Sequence, residues 1–139
     1  MAFQLHPQLA ADTVKLGDFP LCSVLLAKDA LYPWCILVPR RDEIREIHRL
    51  SEADQQQLLK ESSLLAATME QLFSAEKMNI AALGNMVPQL HLHHVARFSN
   101  DLAWPSPIWG RFAAQAYSEA ALAERVSQLK QTLNEYFVA

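Results

Sequence analysis

Gln89-Leu90-His91-Leu92-His93-His94-Val95-Ala96-Arg97 holds three of the chain's five histidines, and its reading decides the fold. Side chains alternate across a β-strand. A strand here therefore sends Gln89, His91 and His93 to one face and Leu90, Leu92 and His94 to the other. The leucines anchor the second face in a core and leave the polar row on the opposite, wetter side. A row of this kind costs packing energy unless it has partners, so it invites a functional explanation. A merely solvated strand face is the bland alternative. It accounts less well for two alternating histidines set between a Gly84-Asn85 turn and Arg97.

Two chemistries suit the pair. Histidines at i and i+2 on a strand can chelate a borderline metal. That reading lacks a nearby third ligand, and Cys35 or Glu43 would have to arrive from elsewhere in the chain. The other chemistry is nucleophilic. A neutral imidazole can attack phosphorus and hold it as a phosphoramidate until an acceptor arrives, which splits one hard displacement into two easier ones. A second histidine on the same face then hydrogen-bonds the phosphoryl oxygens or protonates the leaving group.

Working outward, Met78 to Leu83 reads as a strand ending at Gly84-Asn85, and Pro88 to Phe98 as its return. Upstream, Ser51 caps a helix expected over about residues 52 to 76, with Leu58, Leu65, Met69 and Leu72 on its apolar side and Lys60, Glu61 and Glu70 opposite. Before it, the apolar runs Leu21 to Ala27 and Trp34 to Pro39 flank a turn-like Lys28-Asp29-Ala30-Leu31-Tyr32-Pro33 and predict a hairpin. The first dozen residues predict a short helix ending near Asp12, and each of the three glycines is expected at a turn. Downstream, a Pro- and Trp-rich connection over residues 104 to 110 leads to a short strand at Arg111 to Tyr117 and then a helix capped by Ser118. This order predicts an α+β domain on an antiparallel sheet.

Composition narrows the function classes. The 139 residues suit one domain with a self-sufficient core. A net charge of −3 argues against a broad face for a nucleic-acid polymer but permits a pocket for one phosphorylated molecule. Cys22 and Cys35 sit in apolar runs and read as buried free thiols in a reducing compartment. No stretch approaches the roughly 20 apolar residues that cross a bilayer, and the N-terminus lacks the features of a signal peptide. The expected location is cytoplasmic.

The motif resembles the signature of the histidine-triad (HIT) superfamily, H-φ-H-φ-H-φ-φ with φ apolar, on a strand that follows a glycine-containing loop. Here it reads Q-L-H-L-H-H-V: Gln89 replaces the first histidine, His91 matches the nucleophile and His93 the third. The flanks agree. Tyr32 to Arg41 resembles the family's hairpin, and Ile47-His48-Arg49-Leu50-Ser51 its lead-in to the long helix, so the likeness runs over most of residues 20 to 110.

The resemblance implies a HIT-like α+β fold, with a five-stranded antiparallel sheet, a long helix and a C-terminal helix. The domain spans residues 1–139, with a core over roughly 18–110 and the last helix over roughly 118–138. It implies a nucleotide hydrolase or nucleotidyl transferase whose covalent intermediate forms on His91, with a backbone carbonyl of the motif fixing the attacking tautomer. His93 and Gln89 complete the catalytic set, while Gly84, Asn85 and Arg97 are expected to bind substrate. It calls for no metal or cofactor, no membrane and no nucleic-acid polymer, and it implies a nucleotide or nucleotide conjugate as substrate and a homodimer as the assembly. Trp34 stands where the family often has another histidine, and no hydroxyl residue follows Asn85. These departures keep two alternatives open: a nucleotide-binding module with little turnover, and a metal-dependent enzyme with His91 and His93 as ligands.

Overall fold

The computed structural model describes residues 2–139. Helix α1 (Pro7–Asp12) leads into strand β1 (Thr13–Asp18), followed by β2 (Cys22–Ala27) and β3 (Trp34–Pro39). A 3-10 turn (Ile47–Arg49) precedes the long helix α2 (Glu52–Phe73). Strands β4 (Lys77–Ala81) and β5 (Leu92–Arg97) follow, and then helix α3 (Glu119–Leu133). The five strands form one sheet in the order β1-β2-β3-β5-β4, every pair antiparallel.

The sheet is covered on both faces. On one, Val24, Leu26, Cys35, Leu37, Leu92 and Ala96 pack under Leu58, Leu65 and Met69 of α2 and Leu129 and Leu133 of α3. On the other, Leu25, Ile36 and Val38 pack under Leu9, Phe3 and Leu5, while Val95 packs under Tyr32, Ala103 and Ile108. The face expected to be wet is therefore roofed by the N-terminal segment and the Pro/Trp connection.

Local chemistry sets the ends of α2. The Ser51 hydroxyl accepts the Asp54 N–H at 3.1 Å, as its N-cap position predicts. The helix stops at Phe73, short of the expected 76, because Ser74 turns left-handed with φ 53° and the Ala75 N–H closes back on Glu70 O at 3.0 Å. Glu61, expected on the polar side, is buried. Its carboxylate accepts the Leu21 and Cys22 N–H groups, each at 2.8 Å, and so ties α2 to the start of β2.

Three strand expectations are corrected. The fifth strand is Thr13–Asp18 at the edge of the sheet, not Arg111 to Tyr117, which is irregular and mostly exposed. Gly17 accordingly lies within that strand, beside a bulge, rather than at a turn. The return strand begins at Leu92 rather than Pro88, so residues 82–91 form a loop and not a tight hairpin. Pro88 has no N–H to give a ladder, and the Leu90 N–H is drawn instead to Ile44 O at 2.9 Å. The C-terminal helix likewise ends at Leu133, followed by a 3-10 turn over Asn134–Tyr136.

Both cysteines are free and buried. Burial pushes the Cys35 thiol up to about 12 and raises Cys22 as well, where the adjacent Glu61 carboxylate adds to burial. Neither is a thiolate nucleophile.

Candidate functional site

Beginning β5 at Leu92 puts Gln89 and His91 on the loop that enters the strand, where alternation no longer governs them. Hydrogen bonds do. His91 Nδ1 lies 2.7 Å from Gln89 O. A carbonyl only accepts, so Nδ1 carries the proton of the neutral ring and Nε2 keeps its lone pair. The ring is 6% exposed, yet it borders a cleft, and Nε2 has no protein partner among the described residues. This is the tautomer that a nucleophile at Nε2 requires.

The Gln89 side chain does not reach the cleft. Its Oε1 accepts the His6 N–H at 2.8 Å and its Nε2 donates to Gln4 O at 2.9 Å. Both ends of the amide are spent holding the N-terminal segment across the sheet. The contribution of Gln89 to the site is its backbone carbonyl, not an N–H to phosphate.

His93 stands beside His91, the rings meeting edge-on with centroids 4.8 Å apart. Trp34, diagonal to it on the adjacent strand β3, donates its indole N–H to His93 Nδ1 at 3.0 Å, and Trp109 packs against the ring at 5.4 Å. An indole can only donate, so Nδ1 accepts and the neutral ring carries its proton on Nε2. Burial, and after it the repulsion that a protonated His91 or His94 would exert, lowers the His93 pKa to about 3. In their neutral forms His91 and His93 are thus tautomers of opposite sense.

The cleft has two lobes that meet at these rings. One, of about 420 Å³, is lined by Leu83, Gly84, Asn85, Met86, Ile108, Trp109 and Phe112. The other, of about 370 Å³, is lined by Leu9, Asp12, Thr13, Lys28 and Ile36. Trp34, Asp29, Val87, His91 and His93 border both. Each lobe alone is within the size range of small-molecule sites. Gly84 takes the left-handed conformation (φ 76°) that aims this loop, and Asn85 beside it borders the first lobe.

Arg97 is placed elsewhere, which corrects its expected role in binding substrate. It is 1% exposed, and its guanidinium forks onto Asp101 at 2.8 and 3.1 Å, with Asn79 Oδ1 at 2.7 Å and Ser106 O at 2.9 Å completing its partners. With four of its five N–H groups engaged and the side chain buried, this guanidinium is not presented to a phosphate in the cleft. It staples the Pro/Trp connection that roofs the site. Burial alone would raise the Asp101 carboxyl, but the Arg97 hydrogen bonds and charge and the Phe98 and Trp104 N–H groups outweigh it and hold the pKa low.

His94 faces the helix side. Its Nδ1–H donates to Leu92 O at 3.1 Å, and the Ser62 hydroxyl of α2 donates to Nε2 at 2.7 Å. Burial lowers its pKa to about 4. Among the described residues no third His, Cys, Asp or Glu joins His91 and His93 in a metal-binding group. Asp29 was missed from sequence. It looked like a turn residue, yet it borders both lobes while its Oδ1 accepts the Leu31 and Gln115 N–H groups at 3.0 and 3.2 Å.

Comparison with known proteins identifies the fold and the family. A family model described as the HIT domain matches residues 8–100. A histidine triad protein from Marinobacter aquaeolei VT8 is 52% identical, with TM-score 0.94, over 98% of this chain and 99% of that one. One from Bradyrhizobium japonicum is 44% identical (TM-score 0.92, 95% and 98% covered), and one from Sinorhizobium meliloti 1021 is 39% identical (0.91, 94% and 97%). No protein of curated function matches. Among the described residues no helix is long and apolar enough to cross a membrane.

The His93 and His94 rings carry a pH dependence. A histidine kept neutral when folded takes up a proton on unfolding once the pH drops below about 6.5, so stability falls with pH from there down towards the folded values of about 3 and about 4. For His93 and His94 together, the urea-unfolding free energy is expected to drop by about 3–4 kcal/mol between pH 7 and pH 5. A flat profile over that window contradicts the assigned neutral pair.

Proposed function

The chain belongs to the HIT domain family, and from that premise we propose that it is a nucleotide hydrolase or nucleotidyl transferase with a covalent intermediate on His91. The observation that carries the reading is the 2.7 Å hydrogen bond from His91 Nδ1 to Gln89 O, which turns the basic nitrogen to the cleft. Nε2 attacks phosphorus in line with the departing group. The Nε2–H of His93 and the side-chain amide of Asn85, with the Gly84 backbone, bind the non-bridging oxygens, where preorganised donors act most strongly as charge builds. The nucleoside lies in the second lobe, its sugar hydroxyls within reach of the Asp29 carboxylate where the two lobes meet. The conjugated group lies in the first.

Mass spectrometry of protein quenched during turnover is expected to find a nucleotidyl or phosphoryl adduct on the peptide containing His91. His91→Ala removes the adduct and lowers kcat by about 10³-fold or more, equivalent to about 4 kcal/mol. An adduct that survives the substitution contradicts the assignment. Nucleotide binding with no adduct and no turnover identifies a binding module instead.

The proposed assembly is a homodimer joined at β4. This strand ends the sheet, so its outer N–H and C=O groups are unpaired, and Ile80 on it lies beside Ile47 and Leu59, all three exposed around a groove of about 610 Å³. Light scattering is expected to give the dimer mass for the native chain and the monomer mass for Leu59→Glu. A native monomer contradicts this arrangement.

A further inference from the structure

Displacement at phosphorus builds negative charge on the departing atom, and a basic leaving group such as an amine or alkoxide needs a proton as it goes. His93 is the nearest candidate to supply one, its ring 4.8 Å from that of His91. Yet the Trp34 indole N–H already points at His93 Nδ1 from 3.0 Å. To serve as an acid His93 would need protons on both nitrogens, and the second would collide with that N–H. Burial opposes the doubly protonated ring as well.

No other group takes over the task. The first lobe is lined by apolar and aromatic side chains with Asn85, and Asp29 is its one charged residue. Asp12, whose Oδ2 accepts from Gln8 Nε2 at 2.8 Å, and Lys28, whose Nζ donates to Ala11 O at 3.1 Å, border only the second lobe, away from the departing group. The Thr13 hydroxyl donates to Leu9 O at 2.6 Å.

We infer that Trp34 is a positioning residue that sets leaving-group specificity: by holding His93 as a neutral donor, it confines turnover to nucleotide conjugates whose leaving group departs as a stable oxyanion. The class is a carboxylate or phenolate on an apolar acyl or aryl body, which the Leu83, Met86, Trp109 and Phe112 lobe accommodates and which needs no proton as it departs. This rests on the reading of His91 as nucleophile. In the first step the Nε2–P bond forms and the P–O bond breaks, its electron pair leaving on oxygen. The Nδ1–H stays on the Gln89 carbonyl, so no proton moves. In the second step water forms the new P–O bond, the Nε2–P pair returns to the ring, and the water's proton passes to solvent.

The test compares kcat and KM for the p-nitrophenyl ester and the n-butylamidate of AMP, in the wild type, Trp34→Phe and Trp34→His. Trp34→Phe removes the N–H and keeps an aromatic ring, and Trp34→His puts an ionisable ring there. The wild type is expected to favour the aryl ester by about 10²–10⁴-fold, the usual contribution of a general acid. In both variants that preference should shrink by about tenfold or more, through kcat on the amidate rather than through KM. A preference identical in all three proteins overturns the inference, as does a wild type that cleaves the amidate as readily as the ester. If Trp34→His fails to fold, the Phe variant still decides. Failure of the underlying reading looks different, because His91→Ala would then hydrolyse both compounds at the native rate.

Discussion

One hydrogen bond, from His91 Nδ1–H to the carbonyl of Gln89, sets the chemistry of the cleft. A neutral imidazole has one proton and one lone pair, and which nitrogen holds which decides whether the ring can attack. A main-chain oxygen settles it without needing any particular side chain at position 89. The Gln89 amide is therefore free for another task, and it fixes the N-terminal segment through Gln4 and His6. Loop geometry serves the same end. With Pro88 unable to donate and Leu90 turned to Ile44, the chain enters β5 only at Leu92, and His91 is left on the loop at the meeting point of the two lobes.

From Leu92 onward β5 is buried on both faces, and its polar residues are paired accordingly. His94 bonds Ser62 and Leu92 on the helix side, while His93 meets Trp34 and Arg97 meets Asp101 on the other. Each pairing removes a cost that an unpartnered buried polar group would impose. Removing one partner of the buried Arg97–Asp101 pair would cost about 3–5 kcal/mol, because the remaining charge would be stranded. The same strand thus serves as core, as staple for the roof and as wall of the site.

The parts of the fold legible in the sequence were those with local causes. The β2–β3 hairpin follows from two apolar runs around a turn, and α2 from an N-cap with helical spacing. Strand β1 was missed because Thr13-Val14-Lys15-Leu16-Gly17-Asp18 is short and mixed. Its setting depends on distant residues as well, since a Cβ on Gly17 would lie 2.7 Å from the Phe137 ring. The same reason explains the site. The histidine pair and its carbonyl are neighbours in sequence and could be read. Trp34 and His93 are 59 residues apart, and Asp29 and Gln115 are 86 apart, so their pairing exists only once the sheet and its roof have formed. Arg97 looked available because Asp101 gave no sign of turning back onto it.

The central claim concerns which nitrogen of His91 faces the cleft, and the position of the trapped phosphorus tests it directly. Phosphorus-31 and nitrogen-15 NMR of the labelled protein, quenched during turnover and denatured, distinguish a group on Nε2 from one on Nδ1. The account predicts Nε2, with Nδ1 still protonated against the Gln89 carbonyl in the free protein. Phosphorus found on Nδ1, or a free ring whose proton resides on Nε2, would contradict it.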